Sequence, residues 1–296
     1  MNGIANGFYY LTISLIWGST WLAIRISLKS FPPFFSAGLR FLVAAAVIYL
    51  LMKIKKIPFQ LDRKSMNSYF VLAFFSFIIP FGLVYWGGQY ITSGLSAILF
   101  AVFPFFVAVF SHFMLPKEKI GFGKFAALIL GFTGICLMFY QDLMGGLNTY
   151  LLGMLAVVLS SAMQAWIAVY VKKYGEALHP LGMNLVPMGI SAAVYMAVSP
   201  FVEDMSILRF DAAGIGSAVY LGVFGSVVTF TLYYYLLKRI NLILLSLTAF
   251  ITPVIALILG RVIEAETLTT GQQIGSVLIL AGIIAANIHG ATAKQE

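Results

Sequence analysis

The chain is poor in charge and almost free of thiol chemistry. Only 9% of its 296 residues are Asp, Glu, Lys or Arg, against 61% hydrophobic, and mean hydropathy is +0.98. Soluble domains carry about 25% charged residues, so a soluble fold of this length is excluded. A single cysteine, Cys136, rules out an intramolecular disulfide. Set in an apolar run it reads as packing, because apolar burial quiets a thiol. The three histidines, His112, His179 and His289, fall near the ends of apolar runs. No motif for a metal, a nucleic acid or a cofactor is found. Acid in the middle of the apolar runs is missing altogether: every Asp and Glu lies outside them. Carboxylates are the usual proton and sodium relays inside membranes, so coupling through one is not expected. An enzyme is not expected either, since a nucleophile with its base, or a metal set, is lacking at that depth.

What is present is a succession of long apolar runs. With about 20 residues per membrane span, 296 residues hold about ten. The runs are 5–27, 33–52, 67–88, 92–114, 120–139, 150–170, 180–200, 212–236, 241–260 and 270–289. The first is too long for a signal-peptide core and has no Lys or Arg before Arg25. It therefore reads as a retained span. It is closed by Pro32-Pro33, which fixes φ and removes donors, and the second span starts at once. Lys and Arg set the orientation. With the N-terminus in the cytoplasm, 13 of the 18 fall at inner ends and loops, four at outer ones, and Arg40 inside a span. The net charge of +8 is thus topology, with both termini cytoplasmic in a bacterial inner membrane.

The chain also repeats. A shift of 147 places Arg25 on Lys172 and Pro33 on Pro180. A shift of 149 places Tyr85-Trp86 on Tyr234-Tyr235 and Pro104 on Pro253. A shift of 148 places Gly123, Ala127 and Gly134 on Gly271, Gly275 and Gly282. Residues 1–145 and 146–296 then form two five-helix units, and an odd helix count inverts the second. The fold class expected is all-α and polytopic, with ten transmembrane helices in two inverted five-helix repeats. Inverted repeats can rock about a central site, as transporters do. The small-residue stripes allow close helix packing, within the monomer or across a homodimer.

Candidate solute contacts follow from chemistry and depth. Arg40 is the one charge inside a span, and intramembrane cations face a cavity or a partner. Its partner is a backbone carbonyl, a polar side chain such as Gln164 or Asn184, or an anionic group on a solute; an alternative is that it snorkels to the outer interface. Trp17 and Trp21 share a helical face too deep for the near interface. Tyr85, Gln89, Gln164 and Tyr234 add aromatic bodies with polar tips and two amides, and Ser246 a hydroxyl. Such a wall suits an amphiphilic organic solute. Pro104 and Pro253 fall mid-span, where each removes a hydrogen bond and frees a carbonyl, and are expected to gate.

LIWGSTWLAIRISLKSFPPFFSAGLRF resembles the first two helices of the drug/metabolite transporter superfamily, EamA-type branch. Ser93-Gly94-Leu95-Ser96-Ala97 leading to Pro104, then Leu115-Pro116-Lys117-Glu118, look like that family's repeat ending. Thr252-Pro253 through Glu266 and Leu278–Gly282 repeat it. The family's common Leu-Gly-Glu is altered here, a loop change away from the cavity. The resemblance implies a central cavity and export of amino acids, other metabolites or toxic organic compounds. The partners expected are a small organic solute and the lipid bilayer, with no nucleic acid. A proton antiporter of aromatic cations is the alternative; a receptor or membrane enzyme comes last.

Overall fold

The computed structural model describes residues 2–115, 148–240, 242–246, 248–271 and 273–278, with residues 130, 133, 134, 137 and 281. Cys136, His289, Gly123, Ala127, Gly282 and most of the fifth and tenth expected spans lie outside the described residues. Among the described residues all regular structure is helical.

The helices are α1 (Asn2–Ser27), α2 (Pro33–Ile54), α3 (Arg63–Gly87), α4 (Ser93–Met114), α5 (Thr149–Tyr174), α6 (Gly182–Val202), α7 (Ala212–Leu237), α8 (Leu242–Ser246) and α9 (Thr248–Glu264). Six of them, α2 to α7, are long and apolar enough to cross a membrane. Local chemistry sets their starts. Pro33 opens α2 at its first turn, where a missing N–H costs nothing. Asp62, Thr92, Asn148 and Asp211 cap α3, α4, α5 and α7 by accepting a first-turn N–H. Asp62 also accepts the Ser65 hydroxyl at 2.6 Å, and these bonds hold its carboxyl below the ordinary range.

The repeat has a physical signature in the packing. Arg25, in the last turn of α1, donates to the carbonyls of Gly88 (3.0 Å), Gln89 (3.3 Å) and Ile91 (3.3 Å). Lys172, in the last turn of α5, donates to those of Leu237 (2.6 Å) and Ile240 (3.0 Å). Each cation thus satisfies the orphan carbonyls where α3 or α7 ends, and the two pairs sit at opposite ends of the bundle. The repeats are inverted.

A second signature was not read from the sequence. Midway along α3, residues Ala73–Ile78 wind as a π-helix, and in α7 residues Val223–Val228 do the same. A π turn widens the helix and exposes carbonyls to outside donors. In α3, Tyr195 of α6 donates to Phe77 (3.1 Å) and Ile78, and Gln164 of α5 to the Ser76 carbonyl at 2.8 Å. In α7 the carbonyl of Gly225 receives Arg40 of α2 at 2.8 Å. The crossing is reciprocal: α2 grips the π segment of α7, and α6 grips that of α3.

Helix α4 departs from the kink expected at Pro104. Residues Ala101 and Val102 form a turn that breaks the helix, and Pro104 sits in the first turn of its second part. Pro253 does lie inside its helix, α9.

Candidate functional site: an aromatic cavity around a buried arginine

A cavity of about 100 Å³ lies where the helices of the two repeats meet. Its α1 wall is Trp17, Thr20, Trp21 and Ile24, one face of the helix at i, i+3, i+4 and i+7 spacing. Helices α5 and α7 contribute Ser160, Gln164, Tyr233 and Tyr234, and α9 adds Thr248 and Thr252. Phe81, Phe100, Phe103 and Phe230 close the remainder. The rings interlock rather than stand free. Trp17 meets Phe230 edge-on at 5.4 Å and Tyr233 at 5.3 Å between centroids, and Trp21 meets Phe100 at 5.4 Å.

Arg40 enters this wall from α2 and is only 2% exposed. It does not snorkel. Nε donates to the Ser226 hydroxyl and Nη2 to the Gly225 carbonyl, each at 2.8 Å. The guanidinium lies over the Phe81 ring, 4.7 Å from its centroid. Gly225 is required for this fit, since a Cβ there would come within 2.8 Å of Thr20 Cγ2 and 3.4 Å of Arg40 Nη2. Nη1 has no hydrogen-bond partner of ordinary geometry among the described residues. Among the described residues no acid pairs with Arg40, and the one ion pair, Lys29 with Glu264, is at a bundle end. The side-chain hydroxyls of Ser160, Tyr233 and Tyr234, all in the cavity wall, also close no hydrogen bond of ordinary geometry among the described residues, the Tyr234 hydroxyl lying beside Ser76. Buried polar atoms are nearly always bonded, so four unpartnered groups around one cavity mark where a solute or solvent would bond.

Of the residues singled out from sequence, Trp17, Trp21, Arg40, Gln164 and Tyr234 meet at this cavity. Tyr85 does not line it: the residue is fully buried behind the wall, its hydroxyl beside Arg40 and Ser36 without closing a bond of ordinary geometry. Gln89 sits on the exposed turn after α3 and folds back onto the Trp86 carbonyl at 3.2 Å. Ser246 is buried at the end of α8, outside the lining. Gln164, weighed as a partner of Arg40, instead holds the α3 π segment, and Asn184 reaches Pro180 and Thr231. The lining also includes Tyr233, which the sequence groups with Tyr234 among the aromatic residues with polar tips, and Phe100 and Phe230, which sequence reading passed over because nothing sets them apart from other phenylalanines in apolar runs.

The two ends of the bundle differ. At the end holding the α1–α2 turn, contacts tie α1, α2 and α4 to α6, α7 and α9. Glu203 accepts the backbone N–H groups of Phe34 (2.6 Å) and Phe35 (3.0 Å). Glu266 accepts Ser93 N–H and Oγ–H at 2.8 Å and Gly94 N–H at 3.1 Å. Asp211 takes the Ser30 hydroxyl at 2.9 Å, and these bonds with the Gly214 N–H hold its carboxyl below the usual value. At the opposite end lies a larger cavity of about 770 Å³, bordered by Lys55, Lys172, Lys238 and Arg239 with one acid, Glu176. Burial, with Lys238 and Lys55 nearby, pushes the His179 imidazole there below its ordinary value.

The profile of the EamA-like transporter family matches the chain twice, over residues 7–140 and 151–288. The chain is 31% identical over 259 residues to an uncharacterized transporter of Buchnera aphidicola, covering 88% of this chain and 86% of that protein. It is 28% identical to Protein PagO of Salmonella typhimurium, covering 96% and 93%, and 25% identical to the uncharacterized transporter YoaV of Bacillus subtilis, covering 92% and 93%. A solved crystal structure at 17% identity superposes with a TM-score of 0.72 over 96% of this chain and 98% of that one, which shows a shared fold. With tandem matches spanning nearly its whole length, this membrane protein belongs to the EamA-like transporter family.

Proposed function

We propose that the chain exports small amphiphilic organic metabolites, amino acids or related solutes, from the cytoplasm by alternating access of residues 1–145 against 146–296. The carrying observation is the aromatic cavity between the repeats, with its four unpartnered polar groups. In this reading Trp17, Trp21, Gln164 and Tyr234 contact the solute and Arg40 orients it. Tyr85 backs Arg40, and the prolines Pro104 and Pro253 mark helix irregularities that accommodate the rocking.

The excess of Lys and Arg assigns the basic end, and with it both termini, to the cytoplasm. The 770 Å³ cavity is then the cytoplasmic vestibule, and the carboxylate contacts close the outer end. An inward-facing state, closed at the outer end, fits this arrangement.

Flux from proteoliposomes loaded with labelled amino acids and related metabolites tests the reading. Trp17→Ala and Gln164→Ala are each expected to cut transport of a responsive solute about tenfold, a loss of about 1.4 kcal/mol. Undiminished flux in both would remove the cavity from the transport path.

A further inference from the structure

We infer that the solute carries a net negative charge: an organic anion, a carboxylate on an apolar or aromatic body. This rests on the transporter reading and narrows it. Among the described residues one ionised group lines the central cavity, Arg40, which is 98% buried and whose Nη1 closes no hydrogen bond of ordinary geometry, the Tyr85 hydroxyl lying beside the guanidinium. Its two bonds go to a hydroxyl and a carbonyl, neutral acceptors that leave the positive charge uncompensated. A buried cation without a counter-ion is costly in a membrane, and a carboxylate at Nη1 would neutralise it through a charge-assisted bond. The unpartnered hydroxyls of Tyr233, Tyr234 and Ser160 are further donors to such an anion.

The same cavity offers an ammonium group little. Among the described residues no carboxylate lines it, and the Phe81 face, one place for a cation, is taken by Arg40 itself. A zwitterion would pay for desolvating its ammonium without an ion-pair partner.

A separate observation agrees. Among the described residues the basic-end cavity is bordered by four Lys and Arg side chains and one acid. Two of these cations hold backbone carbonyls, Lys172 those of Leu237 and Ile240, and Lys238 those of Glu176 and Leu178. The carbonyls that Lys238 holds fix its ammonium group in place at the cavity edge. The result is a funnel of positive potential, which raises the local concentration of anions and repels cations. An entry vestibule and a binding cavity of the same sign are what an anion requires in sequence.

Three ligands sharing one body separate the possibilities. 3-Phenylpropionate, phenylalanine and phenethylamine differ only in bearing the carboxylate, both groups, or the amine. Binding to the full chain in neutral detergent at neutral pH is read by titration calorimetry, and transport in proteoliposomes. The propionate is expected to bind at least about tenfold tighter than phenylalanine, with phenethylamine weaker still. Arg40→Gln is expected to abolish that preference and Arg40→Lys to keep its sign. Lys55→Gln with Arg239→Gln, remote from the cavity, is expected to slow association of the propionate and flatten its salt dependence.

Phenylalanine or phenethylamine binding as tightly as the propionate in the unaltered protein overturns the inference, and their transport would leave the transporter reading standing. Binding and transport of none of the three overturns both.

Discussion

At the scale of the residue, Arg40 shows how far sequence reading reaches. Its depth and its lack of an intramembrane carboxylate partner are legible, because charges stand out in apolar runs and every acid lies outside them. Its actual acceptors, Ser226 and the Gly225 carbonyl, are not. They depend on which faces of α2 and α7 meet, and on Gly225 leaving space for the guanidinium. Ser226→Ala should therefore leave Nε buried and unpaired, at about 1–3 kcal/mol, read as a lower denaturation midpoint in detergent. His179 carries a pH prediction. Its imidazole is held below the ordinary 6.5 by burial and by Lys238 and Lys55, so the unfolded chain binds the proton first. The stability it contributes is complete above 6.5 and is lost as pH falls through the folded-state value. The melting temperature should decline as pH falls from 6.5 to the folded-state value and level off below it, and His179→Gln should lessen the decline. A profile unchanged by the substitution would show that the imidazole does not titrate on unfolding.

At the scale of the element, the close approach of α3 and α5 gives a sharp test. A Cβ at Gly87 would stand 2.8 Å from the Gly153 carbonyl oxygen, a backbone atom that cannot swing away. Gly87→Ala should cost about 1–3 kcal/mol through overpacking, whereas Gly189→Ala in α6, with nothing within 4 Å, should not destabilise. Paired denaturation curves decide it; equal midpoints would mean that α3 and α5 separate without cost. Helix boundaries were the most legible feature at this scale. Pro33, Asp62, Thr92 and Asp211 punctuate the chain chemically, and α2, α4 and α7 begin within a residue of the expected spans. The π segments of α3 and α7 were not legible. No proline stands at the α7 segment, and Pro80, which follows the α3 segment and cannot donate to the Ser76 carbonyl, does not by itself specify a π turn; the exposed carbonyls are satisfied by Tyr195, Gln164 and Arg40 from distant helices. Tyr195→Phe removes the donor to two of those carbonyls and should cost about 1 kcal/mol, the scale of a hydrogen bond between membrane helices.

At the scale of the whole molecule, the unequal ends define which way the carrier faces. Shifts of 147 and 149 made the inverted repeat readable from sequence, and its mechanical content appears in the opposed Arg25 and Lys172 clamps. The closure of one end by Glu203 and Glu266 was not readable, because it joins loops to helix N-termini far apart in the chain. Both carboxylates accept backbone N–H groups at a helix start, where the macrodipole strengthens them when ionised. Glu203→Gln combined with Glu266→Gln keeps the shape and removes the charge, so the closed end should open more often. Thr20→Cys, in a background where Cys136 is serine, would report this from the cavity. Labelling by a membrane-impermeant maleimide added outside right-side-out vesicles should rise severalfold with the double substitution, since weakening two charge-assisted contacts by about 1 kcal/mol each shifts the population accordingly. The same reagent applied to inverted vesicles should label more slowly than before, because population gained by one facing is lost by the other. An increase from both sides would instead mean that the contacts hold the bundle together without selecting a facing.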